Sequence, residues 1–256
     1  MSGSSNKFCY FFQDFDWSMM MKIFGLLLLV HCVFSTFYLT AYDKKNKEWG
    51  QAAASSGFNS RLPSHWFQHK VFGKGMAGEQ AYTLRGCSNV TKWIDAGLSA
   101  PDVAAKVKQE CDARRWTHWR LAVATSDGNV TAILGKDGCH SGNQLCGVLT
   151  SKNFVIVGGG LKAGVLEAGL KKWKETDPKL SLTCRLFIAL KGVFDAGAEI
   201  KPLFGASLSV DGKKSKPTYI RSTVSSAGNE RLLKGLYDKL PASCKTYLIL
   251  KNEMKK

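Results

Sequence analysis

A short apolar segment near the amino terminus sets the first limit on what this chain can fold into. Residues 23–34 are predominantly apolar and follow a lysine, and Val33 and Ser35 are small enough for the two positions that a signal peptidase reads. About 20 apolar residues are needed to cross a bilayer, so this segment is too short for a stable span. We therefore predict that residues 1–35 are a signal peptide with an amino-terminal extension, and that residues 36–256 form a single domain.

The alternative is an uncleaved membrane anchor that also uses the aromatic stretch at residues 8–12. Asp14 and Asp16 interrupt that stretch and argue against a continuous span. Cleavage after Ser35 predicts a secreted protein, or a periplasmic one in a bacterium, with no membrane span after processing. It would also make Thr36 the new amino terminus.

The charge balance favours anionic partners. The chain has 36 lysines and arginines against 20 acidic residues, a formal net charge of +16. The predicted signal peptide carries two lysines and two aspartates, so the excess stays with residues 36–256. Such a charge attracts nucleic acid, acidic glycans or lipid headgroups. However, the lysines are scattered and form no nucleic-acid-binding motif, which also fits a soluble cationic surface without a dedicated site.

The cysteines predict disulfides. Two of the eight would leave with the signal peptide, and an even number in an exported chain indicates disulfide bonds. The shortest plausible loop joins Cys139 to Cys146, but the sequence leaves the pairing open. There is no C-x-x-C pair, and the i, i+4 spacing of His65 and His69 lacks an acidic residue between them, so we expect neither a metal site nor a cofactor. The remaining cysteines are Cys87, Cys111, Cys184 and Cys244. Two N-glycosylation sequons, at Asn89 and Asn129, matter only in a eukaryotic host.

Hydrophobic periodicity predicts a mixture of strands and helices. Residues 36–42 alternate as a strand with one buried face, and residues 49–56 read as its antiparallel partner. Ser99, followed by proline and an acid, predicts a helix start. The later predictions are a hairpin around Asp127-Gly128, a buried strand at 154–157 that ends at a glycine triplet, a helix capped by Asp177-Pro178, and a strand at 247–250. Layers of helix on sheet follow from this order.

Thr36 is the residue with the clearest catalytic potential. A hydroxyl needs a base nearby to act as a nucleophile, and an amino-terminal threonine carries one on its own Cα. The α-amine has a reference pKa of about 7.7–8.0, against about 10.4 for lysine, so far more of it is free base near neutral pH. The alternative is that threonine is simply a common strand residue.

Two glycine-rich segments offer weaker candidates. His140 lies in Gly138-Cys139-His140-Ser141-Gly142 and could line a pocket. The triplet Gly158-Gly159-Gly160 precedes a predicted helix and could bind an anion with its backbone N–H groups. It lacks the P-loop lysine, so close packing or a turn is the competing explanation.

The order of the segments adds a resemblance. Thr36-Phe37-Tyr38-Leu39-Thr40-Ala41-Tyr42-Asp43, Gly50-Gln51-Ala52-Ala53-Ala54-Ser55-Ser56, Asp127-Gly128-Asn129-Val130-Thr131 and Gly205-Ala206-Ser207-Leu208-Ser209-Val210 resemble, in the same order, a family of unknown function. This family is placed in the Ntn-hydrolase (amino-terminal nucleophile) superfamily, and its members begin Met-Thr-Phe-Ser-Ile. The likeness spans about residues 36–210.

The resemblance implies an α+β fold, a four-layer αββα sandwich of two antiparallel sheets flanked by helices. It also implies acyl transfer by Thr36, with Ser55 or Ser56 orienting the terminus. This chain departs from the family at three places: Gly158-Gly159 replaces a Gly-Asn pair, Trp119-Arg120 replaces Arg-Gln, and residues 198–202 replace a Gly-Gly-Asp stretch. An amide that could serve as a hydrogen-bond donor is therefore expected to be missing.

Two functional hypotheses remain open from the sequence. The first is a secreted amide hydrolase that uses Thr36 as nucleophile and base on a small amide or peptide-like substrate. The second is a catalytically inactive basic protein on the same scaffold, which binds anionic glycans, nucleic acid or surfaces. Turnover that depends on Thr36 would support the first hypothesis. Binding that weakens as the salt concentration rises would support the second.

Overall fold

Two antiparallel sheets organise the part of the chain that the structure, a computed structural model, describes. That part comprises residues 36–56, 68–80, 89–117, 119–136, 145–198, 203, 205–212, 217–223 and 229–253. The strands found there are β1 (Thr36–Asp43), β2 (Glu48–Ser55), β3 (Gln68–Val71), β4 (Gly75–Gln80), β5 (Arg120–Thr125), β6 (Val130–Leu134), β7 (Leu145–Ser151), β8 (Phe154–Leu161), β9 (Gly205–Gly212) and β10 (Thr218–Thr223).

Helices lie between these strands and at the carboxyl end. They are α1 (Val90–Asp95), α2 (Ala100–Ala113), α3 (Val165–Lys174), α4 (Leu182–Asp195), α5 (Asn229–Tyr237) and α6 (Ala242–Glu253). The larger sheet has the order β10-β9-β2-β1-β8-β7, and the smaller one has the order β3-β4-β5-β6. All pairings are antiparallel. The predicted α+β class is confirmed at this level.

Strand β1 has a different core on each face because successive side chains point to opposite sides of a sheet. Phe37 and Leu39 pack in a core with the apolar faces of α3 and α4; Phe37 meets Phe194 edge-on, with ring centroids 6.1 Å apart. On the other face, Tyr38 packs with Ala122 of the smaller sheet. The two sheets therefore face each other through β1.

The smaller sheet is covered on its outer face by α1 and α2. Val103 and Val107 of α2 are buried against Leu121 and Val123 of β5. Ser99 begins α2 as predicted, since its side chain accepts a hydrogen bond from the backbone N–H of Asp102. The serine cap that the sequence indicated therefore marks the start of α2.

A disulfide connects two helices of the larger core. Cys184 of α4 and Cys244 of α6 are bonded, with Cα atoms 5.5 Å apart and a sequence separation of 60. This confirms the prediction of disulfide bonding and selects a pairing that the sequence left open. Cys139, and with it the predicted Cys139–Cys146 loop, lies outside the described residues.

Two predicted element boundaries and one predicted element type are wrong, each for a local reason. The strand at 154–157 continues to Leu161 as β8, because its glycines pair with β1 instead of ending the strand. The Asp177 side chain stabilises a turn by accepting from the backbone N–H of Lys179, and the helix begins later, capped by Ser181. Residues 247–250 lie within α6, because a four-residue apolar run does not distinguish strand from helix.

The predicted hairpin around Asp127 is confirmed. Its carboxylate accepts hydrogen bonds from Thr125 Oγ1 at 2.6 Å and from the backbone N–H of Asn129 at 3.2 Å. Burial raises the pKa of Asp127, but these hydrogen bonds outweigh burial and lower it overall. None of the helices in the described part of the chain combines the length and the apolar character that a membrane crossing requires.

Candidate active site

Thr36 opens the central strand of the larger sheet and lies between two partner strands. It is directly opposite Ser55 at the end of β2 and opposite Gly159 near the end of β8. Thr36 and Ser55 are 3% and 7% exposed. Their hydroxyl oxygens lie 2.7 Å apart and share a hydrogen bond in which either can donate.

The side chain of Thr36 points between the two sheets. It shares this direction with Tyr38 and Thr40, because alternate residues of a strand face the same side. Tyr38 Oη donates to the backbone oxygen of Glu79 on the smaller sheet at 2.5 Å. Gln51 Nε2 donates to Thr40 Oγ1 at 2.8 Å. These buried bonds fix β1 against its neighbours, so Thr36 stands on a rigid element.

Arg120 is a buried charged residue that lies close to this end of β1. It begins β5 and is 4% exposed. A Cβ built on Gly159 would overlap its guanidinium, so the guanidinium occupies the space of a side chain at position 159. Opposite residues of an antiparallel pair have Cβ atoms about 4.5–5.5 Å apart. The guanidinium therefore lies within about 8 Å of Thr36 Cβ, on the same side of the sheet.

The glycine triplet is explained by close packing rather than by anion binding at a helix. Its three residues lie within β8, and α3 begins only at Val165. A Cβ on Gly158 would come within 2.7 Å of Phe37 Cβ, and Gly160 has a φ of 74°, which favours glycine. Close packing, which the sequence offered as the competing explanation, is therefore correct.

The other predicted residues are placed as follows. Ser56 follows β2 directly and is half-buried, while Ser55 is the serine at hydrogen-bond distance from Thr36 Oγ1. His140 and His65 lie outside the described residues. Within the described ranges, no group of three or more His, Cys, Asp or Glu residues could hold a metal ion.

His69 lies on the outer face of the smaller sheet, away from Thr36. Its Nε2 is 3.1 Å from Glu79 Oε2, and the Glu79 side chain is only 4% exposed. Burial lowers the pKa of His69, but the hydrogen bond and the negative charge of Glu79 outweigh it and raise the pKa overall. The pair links edge strand β3 to β4.

Arg120 is the site residue that the sequence did not identify. The sequence showed only that Trp119-Arg120 departs from a family pattern. One available signal was an arginine at the head of a strand whose other residues, Leu-Ala-Val-Ala-Thr, are all buried. Its proximity to Gly159 depends on how the two sheets pack, which strand periodicity does not specify.

Comparison with known protein families matches residues 36–228 to one described as "Family of unknown function (DUF1028)". The chain belongs to this family. The DUF1028 match covers most of the chain and begins at Thr36. The crystal structure of a DUF1028 protein from Silicibacter pomeroyi is similar, with a TM-score of 0.64 and 23% sequence identity, over 80% of this chain and 88% of that one. At this identity the likeness shows a common fold. No curated protein matches the chain.

Proposed function

We propose that this DUF1028 protein is a secreted amide hydrolase of the amino-terminal nucleophile type, with Thr36 as its nucleophile after removal of residues 1–35. The corresponding fold is the four-layer αββα sandwich of Ntn hydrolases. Two observations support it: the two sheets face each other through β1, and helices cover their outer faces.

One observation carries the proposal. Thr36 Oγ1 is held by Ser55 Oγ at 2.7 Å, at the first residue of the central strand β1. This is the position at which signal cleavage is predicted to create a terminus, and the DUF1028 match begins at the same residue. Three independent features therefore coincide at Thr36.

The proposed reaction uses only the terminal residue for its acid–base chemistry. The free α-amine takes the proton of Thr36 Oγ1 as this oxygen attacks the amide carbonyl. The resulting ammonium protonates the departing amine, and an ester to Thr36 is left. The amine then removes a proton from water, which hydrolyses the ester and restores Thr36. Ser55, through its hydrogen bond, orients the hydroxyl for attack.

Exported proteins meet an oxidising environment in which disulfides persist. The Cys184–Cys244 bond supports secretion, and it joins helices of the larger core instead of lying near the proposed site. The bond is therefore suited to stabilising the fold outside the cell.

The test is hydrolysis of a panel of acyl amides with a chromogenic amine leaving group. The processed wild type should turn over at least one of them, and Thr36→Ala should lower turnover by on the order of 10⁴-fold or more. Thr36→Ser retains both hydroxyl and amine, and it should keep a measurable fraction. Each variant must be shown by mass spectrometry to be cleaved after Ser35. Equal turnover by wild type and Thr36→Ala contradicts the proposal.

The net charge of +16 favours a second function, catalytically silent binding to an anionic surface. Some surface lysines are paired with acids, for example Lys108 with Asp112 and Lys191 with Asp195, but such neutral pairs leave the net excess of positive charge unchanged. This hypothesis predicts retention on heparin that falls steeply as salt rises, with no effect of Thr36→Ala. Retention that is absent or insensitive to salt rejects it.

A further inference from the structure

We propose that Arg120 is a catalytic residue of this site, the donor that stabilises the oxyanion formed on the substrate, and that Gly159 makes room for it. This inference rests on the proposed function of Thr36. The family pattern would place an amide side chain at position 159, and the missing donor weakened the case for catalysis. The structure puts a guanidinium in the same space.

The geometry follows from one row of paired residues across the larger sheet. Gly205 pairs with Ser55, Ser55 with Thr36, Thr36 with Gly159, and Gly159 with Cys146. All five residues are small, and two are glycines. The row therefore leaves space between the sheets beside Thr36. Arg120 reaches into this space from β5 of the facing sheet.

The guanidinium lies on the correct side of the nucleophile. Thr36 and Gly159 are directly opposite, so their side-chain positions point the same way. Because the guanidinium fills the side-chain position of Gly159, it is the next group along the row after the Thr36 hydroxyl. Ser55 flanks that hydroxyl on the other side. The nucleophile thus lies between an orienting hydroxyl and a cation in this row.

The chemistry requires such a group. When Thr36 Oγ1 bonds to the carbonyl carbon, the π electrons of the C=O bond move to oxygen and create an anion. An N–H donor aimed at this oxygen typically lowers the barrier by about 2.7–4 kcal/mol. A guanidinium carries several donors in a fixed plane and a permanent charge. When the C–N bond breaks, the electrons return to the carbonyl and Arg120 is unchanged.

The overlap with Arg120 also explains why glycine stands at position 159. The overlapping atoms are Nη2, Cζ and Nε of Arg120, the far end of the side chain, so any Cβ at 159 would displace the guanidinium rather than the backbone. A substitution at Gly159 is therefore expected to act on catalysis as well as on stability.

The experiment measures acylation of the processed protein by an alkyne-tagged β-lactone. Opening of the lactone on Thr36 Oγ1 passes through an oxyanion and leaves an ester, which peptide mass spectrometry locates. We expect labelling of the wild type at Thr36 and none in Thr36→Ala. Arg120→Ala should label on the order of 10²–10³-fold more slowly, and Arg120→Lys, which keeps the charge but not the planar fork, should lie between.

Periodate oxidation is the control that separates a catalytic role of Arg120 from a structural one. If Arg120 only held the site in shape, its loss would also change the rate of periodate oxidation at Thr36. Periodate cleaves a free terminal amine with its neighbouring hydroxyl, and it needs no oxyanion donor. Wild type, Arg120→Ala and Arg120→Lys should all be oxidised at Thr36 at similar rates. The double variant Arg120→Ala/Gly159→Asn, which returns an N–H donor to the vacated space, should regain part of the lost β-lactone labelling.

The outcomes separate the two proposals. If Thr36 of the wild type is not labelled, the proposed function fails, and the role of Arg120 fails with it. If Thr36 is labelled at the same rate in wild type, Arg120→Ala and Arg120→Lys, the role of Thr36 as nucleophile is supported and the role of Arg120 is overturned. Slower labelling with unchanged periodate oxidation is the predicted result.

Discussion

The hydroxyl oxygens of Thr36 and Ser55 lie 2.7 Å apart across the first residue pair of the β1–β2 ladder. Both side chains are buried, so this bond has a fixed geometry and little competition from water. A threonine at the head of a strand would otherwise rotate about χ1. The bond with Ser55 selects one orientation of the hydroxyl, which a nucleophile requires.

Ser55→Ala should therefore slow turnover of an amide substrate by about 10–100-fold through loss of a hydrogen bond worth about 1–3 kcal/mol. Ser207→Ala is the matched control. Ser207 is fully buried on β9, which pairs with β2, and its hydroxyl has no hydrogen-bond partner among the described residues. This control should leave turnover unchanged and should leave stability equal or slightly higher. Equal rates for wild type and Ser55→Ala would argue against an orienting role.

Gly159 and Arg120 should be energetically coupled. Gly159→Ala should lower the free energy of unfolding by about 1–3 kcal/mol through overpacking. The same change should cost much less in an Arg120→Ala background, because the overlapping group is gone. Gly147→Ala is the control, since its Cβ would meet only Leu166 Cδ1 at 3.3 Å, and its effect should be the same in both backgrounds. Additive effects of Gly159→Ala and Arg120→Ala would contradict the contact.

The Cys184–Cys244 bond should contribute substantially to stability. It closes a loop of 60 residues, for which chain entropy gives about 4 kcal/mol. The Cys184→Ser/Cys244→Ser double variant should lower the denaturant midpoint accordingly. Either single variant should already show most of this loss, because one partner is enough to remove the bond. Single variants as stable as wild type would mean that the bond does not constrain the chain.

His69 should titrate above its ordinary pKa. Burial lowers the pKa of His69, and the hydrogen bond and charge of Glu79 raise it further than burial lowers it. A pKa raised in the folded state means that the pair stabilises the protein fully below about pH 6.5, and that this contribution is lost as pH rises through the folded pKa. Glu79→Gln removes the charge and should lower the pKa of His69, as followed by NMR of its ring protons. An unchanged titration curve would reject the pairing.

The sequence predicted the elements with strong local signals. The β1–β2 pair followed from alternation that begins at Thr36, and the start of α2 followed from a serine cap with proline and an acid. These signals act within a few residues, so they can be read from the amino-acid sequence alone. The same holds for the hairpin at Asp127, whose side chain bonds to residues no more than two positions away.

The rest depended on packing between distant segments. The contact between Arg120 and Gly159 requires a particular register of β8 on β1 and a particular placement of one sheet over the other. The Cys184–Cys244 bond requires α6 to lie against α4. Neither follows from hydrophobic periodicity, because periodicity identifies which face is buried but not what buries it.

The most direct test is mass spectrometry of the amino-terminal peptide from the protein secreted by cells that express all 256 residues. The proposed mechanism requires a first peptide that begins Thr36-Phe37-Tyr38 with an unmodified α-amine, and this is the expected result. A first peptide that begins at any other residue, or one that carries an acyl group on the nitrogen of Thr36, would leave the hydroxyl without its base and contradict the proposed mechanism.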